Sequence, residues 1–222
     1  MRGTVDKALS RLTRQDALAA HWSFDDKNEK VAKDVTGHGN DGEIKGCTVV
    51  EGKVGKALRF GKGAFVELGH PSALTIAGKP FTVMAWVKSD APSGVVVARG
   101  GAFCGYSLHL KDGIPRFGIR QARDGPAPIA AGTEKAVGDW VHLAGVVRSD
   151  CIEVYVNGKL AGTAKSAGLF GGNCGQGMEI GCDAGNSAVE VMDQFEGIID
   201  EVKQFDAALS EKEIARQCRS PE

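Results

Sequence analysis

The stretch 105-GYSLHLKDGIPRFGIR-120 decides the fold. Apolar and polar residues alternate through both halves, and a period of two marks a strand with one buried face. Between the halves stands Asp112-Gly113, a pair that accepts the positive φ demanded at both central positions of a type I′ turn. The reading is an antiparallel hairpin, and the pattern spreads outward from it. The segment 152-IEVYVNGKLAG-162 repeats it with Asn157-Gly158 at the tip, and 56-KALRFGKGAFVELG-69 reads as a hairpin folded at Gly61-Lys62-Gly63. Apolar on both faces, 81-FTVMAWVKS-89 has the composition of a central strand covered on each side. With 21-HWSF-24 as a first short strand and 36-TGHGNDGE-43 as a long polar turn, at least ten strands follow.

The segment 195-FEGIIDEVKQF-205 also alternates. Strict parity puts Asp200 on the face of Ile198 and Val202, and Glu201 on that of Ile199 and Phe205. A carboxylate among apolar neighbours must face water, find a cation or backbone donors, or belong to a site. Only the end of the chain departs from strands. In 209-LSEKEIARQ-217, Ser210 is a helix N-cap with Glu213 completing a capping box, and Leu209 with Ile214 forms a hydrophobic staple.

Composition bounds the function. The 222 residues include 31 glycines with no repeat, which fits many tight turns. Lys plus Arg number 27 against 28 Asp plus Glu, with neither sign in a block, so a nucleic-acid partner is not expected. No apolar run reaches the length of about 18 residues needed to span a membrane, so no membrane insertion is expected, and residues 1–19 contain no apolar core of a secretory signal. That segment, with Val5, Leu9 and Leu12 at helical spacing, reads as a lead-in or linker ahead of one domain over 20–218, with 219–222 as a tail. Six cysteines, none in a C-x-x-C pair, permit disulfides or buried thiols. The local bridge expected is Cys174 with Cys182, which bracket 174-CGQGMEIGC-182.

An ordered set of segments resembles the laminin G-like jelly-roll domains of the concanavalin A-like lectin and glucanase superfamily. They are HWSFDD (21–26), DVTGHGNDGEI (34–44), GKVGKALRFGKGAFVEL (52–68), FTVMAWVKSD (81–90), GDWVHLAGVV (138–147), IEVYVNGKLAG (152–162) and FEGIIDEVKQFDAALSEKEIARQ (195–217). The resemblance implies an all-β fold, an antiparallel two-sheet jelly-roll sandwich with a short C-terminal helix. It also implies a module attached to other domains of a larger protein located outside the cell, in the periplasm or on the cell surface. Similar domains often hold a calcium ion where the first strand, the following polar turn and the last strand meet. Those places correspond to Asp25, the Gly39 to Asp41 turn and Asp200, so calcium is the expected cofactor, with Asp25 and Asp200 as side-chain ligands. The alternative is that Asp25 and Asp41 cap turns while Asp200 accepts backbone hydrogen bonds.

Three functions compete. Sugar binding, the commonest use of this fold, needs aromatic faces beside polar groups that fix orientation. Trp22, Trp86 and Trp140 read as framework, leaving Phe103, Tyr106 and Phe170 as candidate platforms, with Arg99, Arg120 and Arg123 able to grip an acidic or sulfated glycan. A structural or protein-interaction domain without a glycan site is the second reading. A divergent glycoside hydrolase is the third, but Glu190 and Asp193 fall on opposite strand faces, and Glu196 with Asp200 lacks the intervening acid of the known motifs. His21 and His142 read as inter-strand histidines and His38 as exposed. The expectation is a non-catalytic, carbohydrate-recognising accessory module.

Overall fold

The computed structural model describes residues 17–26, 29–101, 103–183, 189 and 194–219. Among the described residues sixteen strands occur in chain order: β1 (Leu18–Trp22), β2 (Val31–Ala32), β3 (Gly42–Lys45), β4 (Thr48–Glu51), β5 (Lys56–Phe60), β6 (Phe65–Gly69), β7 (Phe81–Ser89) and β8 (Gly94–Gly101). They continue as β9 (Cys104–Lys111), β10 (Ile114–Arg120), β11 (Ile129–Ala131), β12 (Trp140–Val147), β13 (Cys151–Val156), β14 (Lys159–Lys165), β15 (Met178–Ile180) and β16 (Gly197–Phe205). The helix α1 (Glu211–Arg219) follows.

The strands form two antiparallel sheets, as expected of a jelly-roll sandwich. One runs β14-β13-β12-β7-β16-β5-β4, with β1 also on β16; the other runs β11-β10-β9-β8-β15-β6-β3-β2. Their inner faces share one core, to which β7 contributes Phe81, Val83, Ala85 and Val87, β9 contributes Tyr106, Leu108 and Leu110, and β10 contributes Phe117 and Ile119.

The two tight hairpins form as read. Asp112 and Gly113 take φ of 55° and 83°, and Asn157 and Gly158 take 51° and 80°, the double positive φ of a type I′ turn. The third expected hairpin does not form. β5 pairs with β4 and β16 in the first sheet, whereas β6 pairs with β3 and β15 in the second. The Gly61–Gly63 turn closes on itself through Ala64 N–H to the Gly61 carbonyl, 2.9 Å, and carries the chain across the sandwich edge instead of back along a ladder.

β7 is covered on both sides, as its composition requires. On its outer face Met84 joins Ala144, Val146, Tyr155, Phe205, Leu209 and Ile214 in a second apolar cluster under α1. The staple pair Leu209 and Ile214 belongs to that cluster, and the Ser210 amide donates to Glu213 at 2.6 Å, so the capping box fixes where the helix starts. Residues 17–19, assigned above to the lead-in, belong to the sandwich: Leu18 pairs with Phe205.

Strict parity fails in β16. Against β7, Asp200 faces Trp86 and Lys203 faces Met84, so Glu201 and Val202 together oppose one residue, and Glu201 takes φ 52°. This bulge re-aims the side chains that follow it. Asp200 stays on the outer face with Ile198, Val202 turns into the core, and Phe205 lands outside under the helix.

Candidate functional site

The acidic side chains of the expected calcium site are already engaged by donors. Asp200 is fully buried, and its Oδ2 accepts the amides of Lys53 at 2.8 Å and Val54 at 3.0 Å. Burial pushes its carboxyl up to about 7, against the pull of those amides. Asp25 Oδ1 accepts the Lys56 amide at 2.7 Å. The same turn approaches both acids so closely that a Cβ on Gly52 would lie 2.6 Å from Asp200 Oδ2, and one on Gly55 2.0 Å from Asp25 Oδ1. Glycine at both places lets residues 52–56 wrap over two carboxylates.

Asp41 lies in another group, accepting from Lys33 Nζ and the Asp34 amide, both at 2.8 Å. Gly39 is an exposed turn residue with φ 80°. Calcium needs about six to eight oxygen ligands, and an amide proton aimed at a carboxylate oxygen repels a cation there. Among the described residues no three His, Cys, Asp or Glu side chains converge to hold a metal ion. Asp25 and Asp200 each clamp the 52–56 turn to an end of the chain through one oxygen, and Asp200 Oδ1 is buried with no hydrogen-bond partner among the described residues.

A residue missed in the sequence organises the polar turn. Buried Asp34 accepts from the His21 amide (3.2 Å), the Thr36 hydroxyl (2.7 Å), and the Asn40 amide and side chain (3.2 and 2.8 Å). Asn40 returns its carbonyl to Trp22 Nε1 at 2.8 Å, so DVTGHGND is sewn to β1. Nearby, buried Glu201 accepts from His21 Nε2 and Lys203 Nζ, both at 3.0 Å. Burial opposes its charge, but these two partners hold its carboxyl below the ordinary range. The parity of the alternating pattern hid this ion cluster because the bulge creates it.

An acid row, also missed, crosses the second sheet. Glu43 and Glu179 both register with Glu67, and Lys45 pairs with Glu67 and Glu43. Burial, with the charges of Asp183 and Glu67, raises Glu179 to about 7. Alternation between core residues, as in Val66-Glu67-Leu68, was the signal that could have found it.

The predicted ligand residues divide. Tyr106 is fully buried and donates to Gln204 Oε1 at 3.2 Å. Arg99, its cross-strand partner, is also buried, with Nη1 on the Leu74 carbonyl. Phe170 is buried against Phe81, ring centroids 6.2 Å apart. These three are core residues, because the alternation of β8 and β9 turns Arg99 and Tyr106 inward. Phe103 is the exception: 51% exposed, it lies at the tip of the β8–β9 hairpin. Arg123 lies over its ring at 3.9 Å from the centroid. Arg120 supports the Arg123 loop through Nη1 to the carbonyls of Arg123 (3.3 Å) and Gly125 (3.4 Å).

The expected Cys174–Cys182 bridge is replaced by Cys104–Cys174, whose Cα atoms are 5.2 Å apart, and Cys182 is a buried free thiol. Geometry along β8 explains the change. A Cβ on Gly100 would lie 2.7 Å from Cys174 Cβ, while Gly181 donates to the Val96 carbonyl at 2.9 Å. Four residues of strand, about 13 Å, separate those positions. The bridge ties the residue beside Phe103 to the 166–177 loop. That loop is fixed in turn by Asn173 Oδ1 accepting from Thr75 Oγ1 (2.7 Å) and the Ile76 amide (3.1 Å), and by Gln121 Nε2 on Gly168 O (2.5 Å). Four loops therefore interlock at one end of the sandwich and hold an aromatic ring in solvent.

A family model for the concanavalin A-like lectin/glucanases superfamily, Laminin_G_3, matches residues 60–215. The chain belongs to this family. No curated protein shows a significant match to it. Among solved structures, domain 4 of AbnA, a GH43 extracellular arabinanase from Geobacillus stearothermophilus, in complex with arabinotriose, is similar at TM-score 0.67 and 20% identity, over 91% of this laminin G-like chain and 98% of that one. The binding domain of Paraclostridial Mosquitocidal Protein 1 is similar at TM-score 0.74 and 16% identity, over 92% of this chain and 52% of that one. The binding domain of botulinum neurotoxin DC, in complex with rat synaptotagmin II, has TM-score 0.67 and 15% identity, over 94% and 52%. The laminin G-like chain thus spans about half of the toxin domains, and at these identities the likeness is one of fold.

Proposed function

We propose that this laminin G-like domain is a non-catalytic, carbohydrate-recognising module of a larger exported protein, with its site at the Phe103–Arg123 loop cluster. The observation that carries the reading is the half-exposed Phe103 ring, held out by the Cys104–Cys174 bridge and backed by Arg123. An aromatic face pre-positioned on interlocked loops suits a pyranose ring, because stacking then costs little ordering of the protein. The disulfide supports an oxidising compartment. Among the described residues no helix is long and apolar enough to cross a membrane. The fold relatives support a binding role: one is a domain in complex with arabinotriose, and others are toxin binding domains. Hydrolysis at Asp200 has no support, since its carboxylate is enclosed by the 52–56 turn; Glu190 and Asp193 lie outside the described residues.

A glycan array followed by calorimetry tests the reading. Binding to one or more oligosaccharides is expected, weakened at least about tenfold in Phe103→Ala, the loss of one good stacking contact. Binding that survives Phe103→Ala unchanged, or no binding to any glycan, refutes it.

A further inference from the structure

The Phe103 platform sits in a cationic setting. Arg123 is exposed, and its guanidinium carbon lies over the ring, 3.9 Å from the centroid. A guanidinium over an aromatic face uses none of its N–H donors on the ring, and those donors match a carboxylate or sulfate bidentately. Arg120 adds a second positive charge at the base of the same loop, where the 121–128 segment carries only Asp124 against them.

A third guanidinium lies beneath. Arg99 is 4% exposed, four residues before Phe103 on the same hairpin, and among the described residues no carboxylate forms an ion pair with it. Its Nη1 donates to the Leu74 carbonyl, and among the described residues its Nε has no hydrogen-bond partner. A buried cation without a counter-charge is costly and projects positive potential through a poorly screening interior toward the loops above. Across the other strand of the hairpin Tyr106 offers a neutral hydroxyl, its ionisation pushed upward by burial.

From this arrangement we infer that the site selects acidic sugars: a pyranose ring rests against Phe103 while its carboxylate or sulfate is gripped by Arg123. The inference rests on the glycan reading above and narrows it to an anionic ligand class. Arg123 is the specificity residue, Phe103 supplies sequence-independent contact, and Arg120 and Arg99 add field without touching the ligand.

The test is calorimetry with four probes: oligogalacturonate, its neutral galactan counterpart, chondroitin sulfate, and chondroitin both desulfated and carboxyl-reduced so that it too is neutral. The expected result is preference for the charged member of at least one pair, weakening as salt rises from about 50 to 500 mM, as a charge-dominated contact does. In Arg123→Ala that preference falls about tenfold, and Arg123→Lys does not restore it, because an ammonium lacks the planar fork. A preference confined to oligogalacturonate assigns a uronate, and one confined to chondroitin sulfate assigns a sulfate. Equal affinity for charged and neutral members, lost in Phe103→Ala, overturns the inference and keeps the glycan reading. No binding to any probe, or binding indifferent to Phe103→Ala, overturns both.

Discussion

Replacing Cys104 and Cys174 together by serine should strongly destabilise the domain. The bridge closes a loop between positions separated by 70 residues, and the chain-entropy relation for a loop of that length gives about 4 kcal/mol. The loop contains most of the second sheet's β9 and β10 and the first sheet's β12 to β14, so the constraint acts on both layers. Urea unfolding of the wild type and the double variant, followed by tryptophan fluorescence, reads the difference as a lower midpoint, with a steeper slope because the unfolded chain loses its cross-link. The same variant frees the residue next to Phe103, so glycan affinity falls even below the denaturing range. Peptide mapping under non-reducing conditions checks the premise. A Cys174–Cys182 linkage, or a stability loss under about 1 kcal/mol, would refute the reasoning, because either would mean that the 166–177 loop is not anchored to the β8–β9 hairpin.

Other consequences are narrower. Asp200 and Glu179 both have carboxyls raised to about 7; the folded chain then holds protons that the unfolded chain has released, so stability falls as pH rises from about 4 to 7. Asp34, Asp41 and Glu201 are held low by their partners, so their contribution is present above their ordinary range and is lost as pH falls below it. Thermal melts from pH 3 to 9 should therefore peak on the acid side of neutral, and Asp200→Asn, which keeps an acceptor for the Lys53 and Val54 amides, should flatten the fall and raise stability at pH 8 by about 4 kcal/mol at most. A profile unaltered by Asp200→Asn contradicts the burial argument. Calcium added to, or chelated from, the protein should leave the melting temperature within about 1 °C, whereas a shift of about 3 °C or more would show a bound ion of roughly 1 kcal/mol consequence.

The parts of the fold legible in the sequence were those written in a few adjacent residues. Asp112-Gly113 and Asn157-Gly158 specify their turns locally, and Ser210 with Glu213 starts the helix without help from elsewhere. The Gly61–Gly63 turn carries the same glycine signal, but whether its strands pair with each other or with β4 and β3 is a tertiary matter that no local pattern encodes. The Glu201 bulge was illegible for a related reason: one residue in left-handed conformation resets the parity of everything after it, and nothing in IIDEVK announces it. At the candidate site, Phe103 and the arginines 120 and 123 stood out as an aromatic and cations outside regular alternation. Arg99 and Tyr106 were misplaced because residue type outweighed their position in alternating strands; the inward parity of Tyr106, shared with Leu108, was the better guide. Asp34 was overlooked because a turn that satisfies itself through Asn40, Thr36 and His21 looks, in sequence, like any polar loop.

The central claim is that recognition happens at the interlocked loops and not on a sheet face. Amide chemical shifts of the isotopically labelled domain, followed during titration with the best-binding oligosaccharide, test it most directly. The expected changes concentrate at Phe103, Cys104, residues 120–125 and the 170–177 loop. Changes centred on the Glu43, Glu67 and Glu179 row, with the Phe103 region silent, would contradict it.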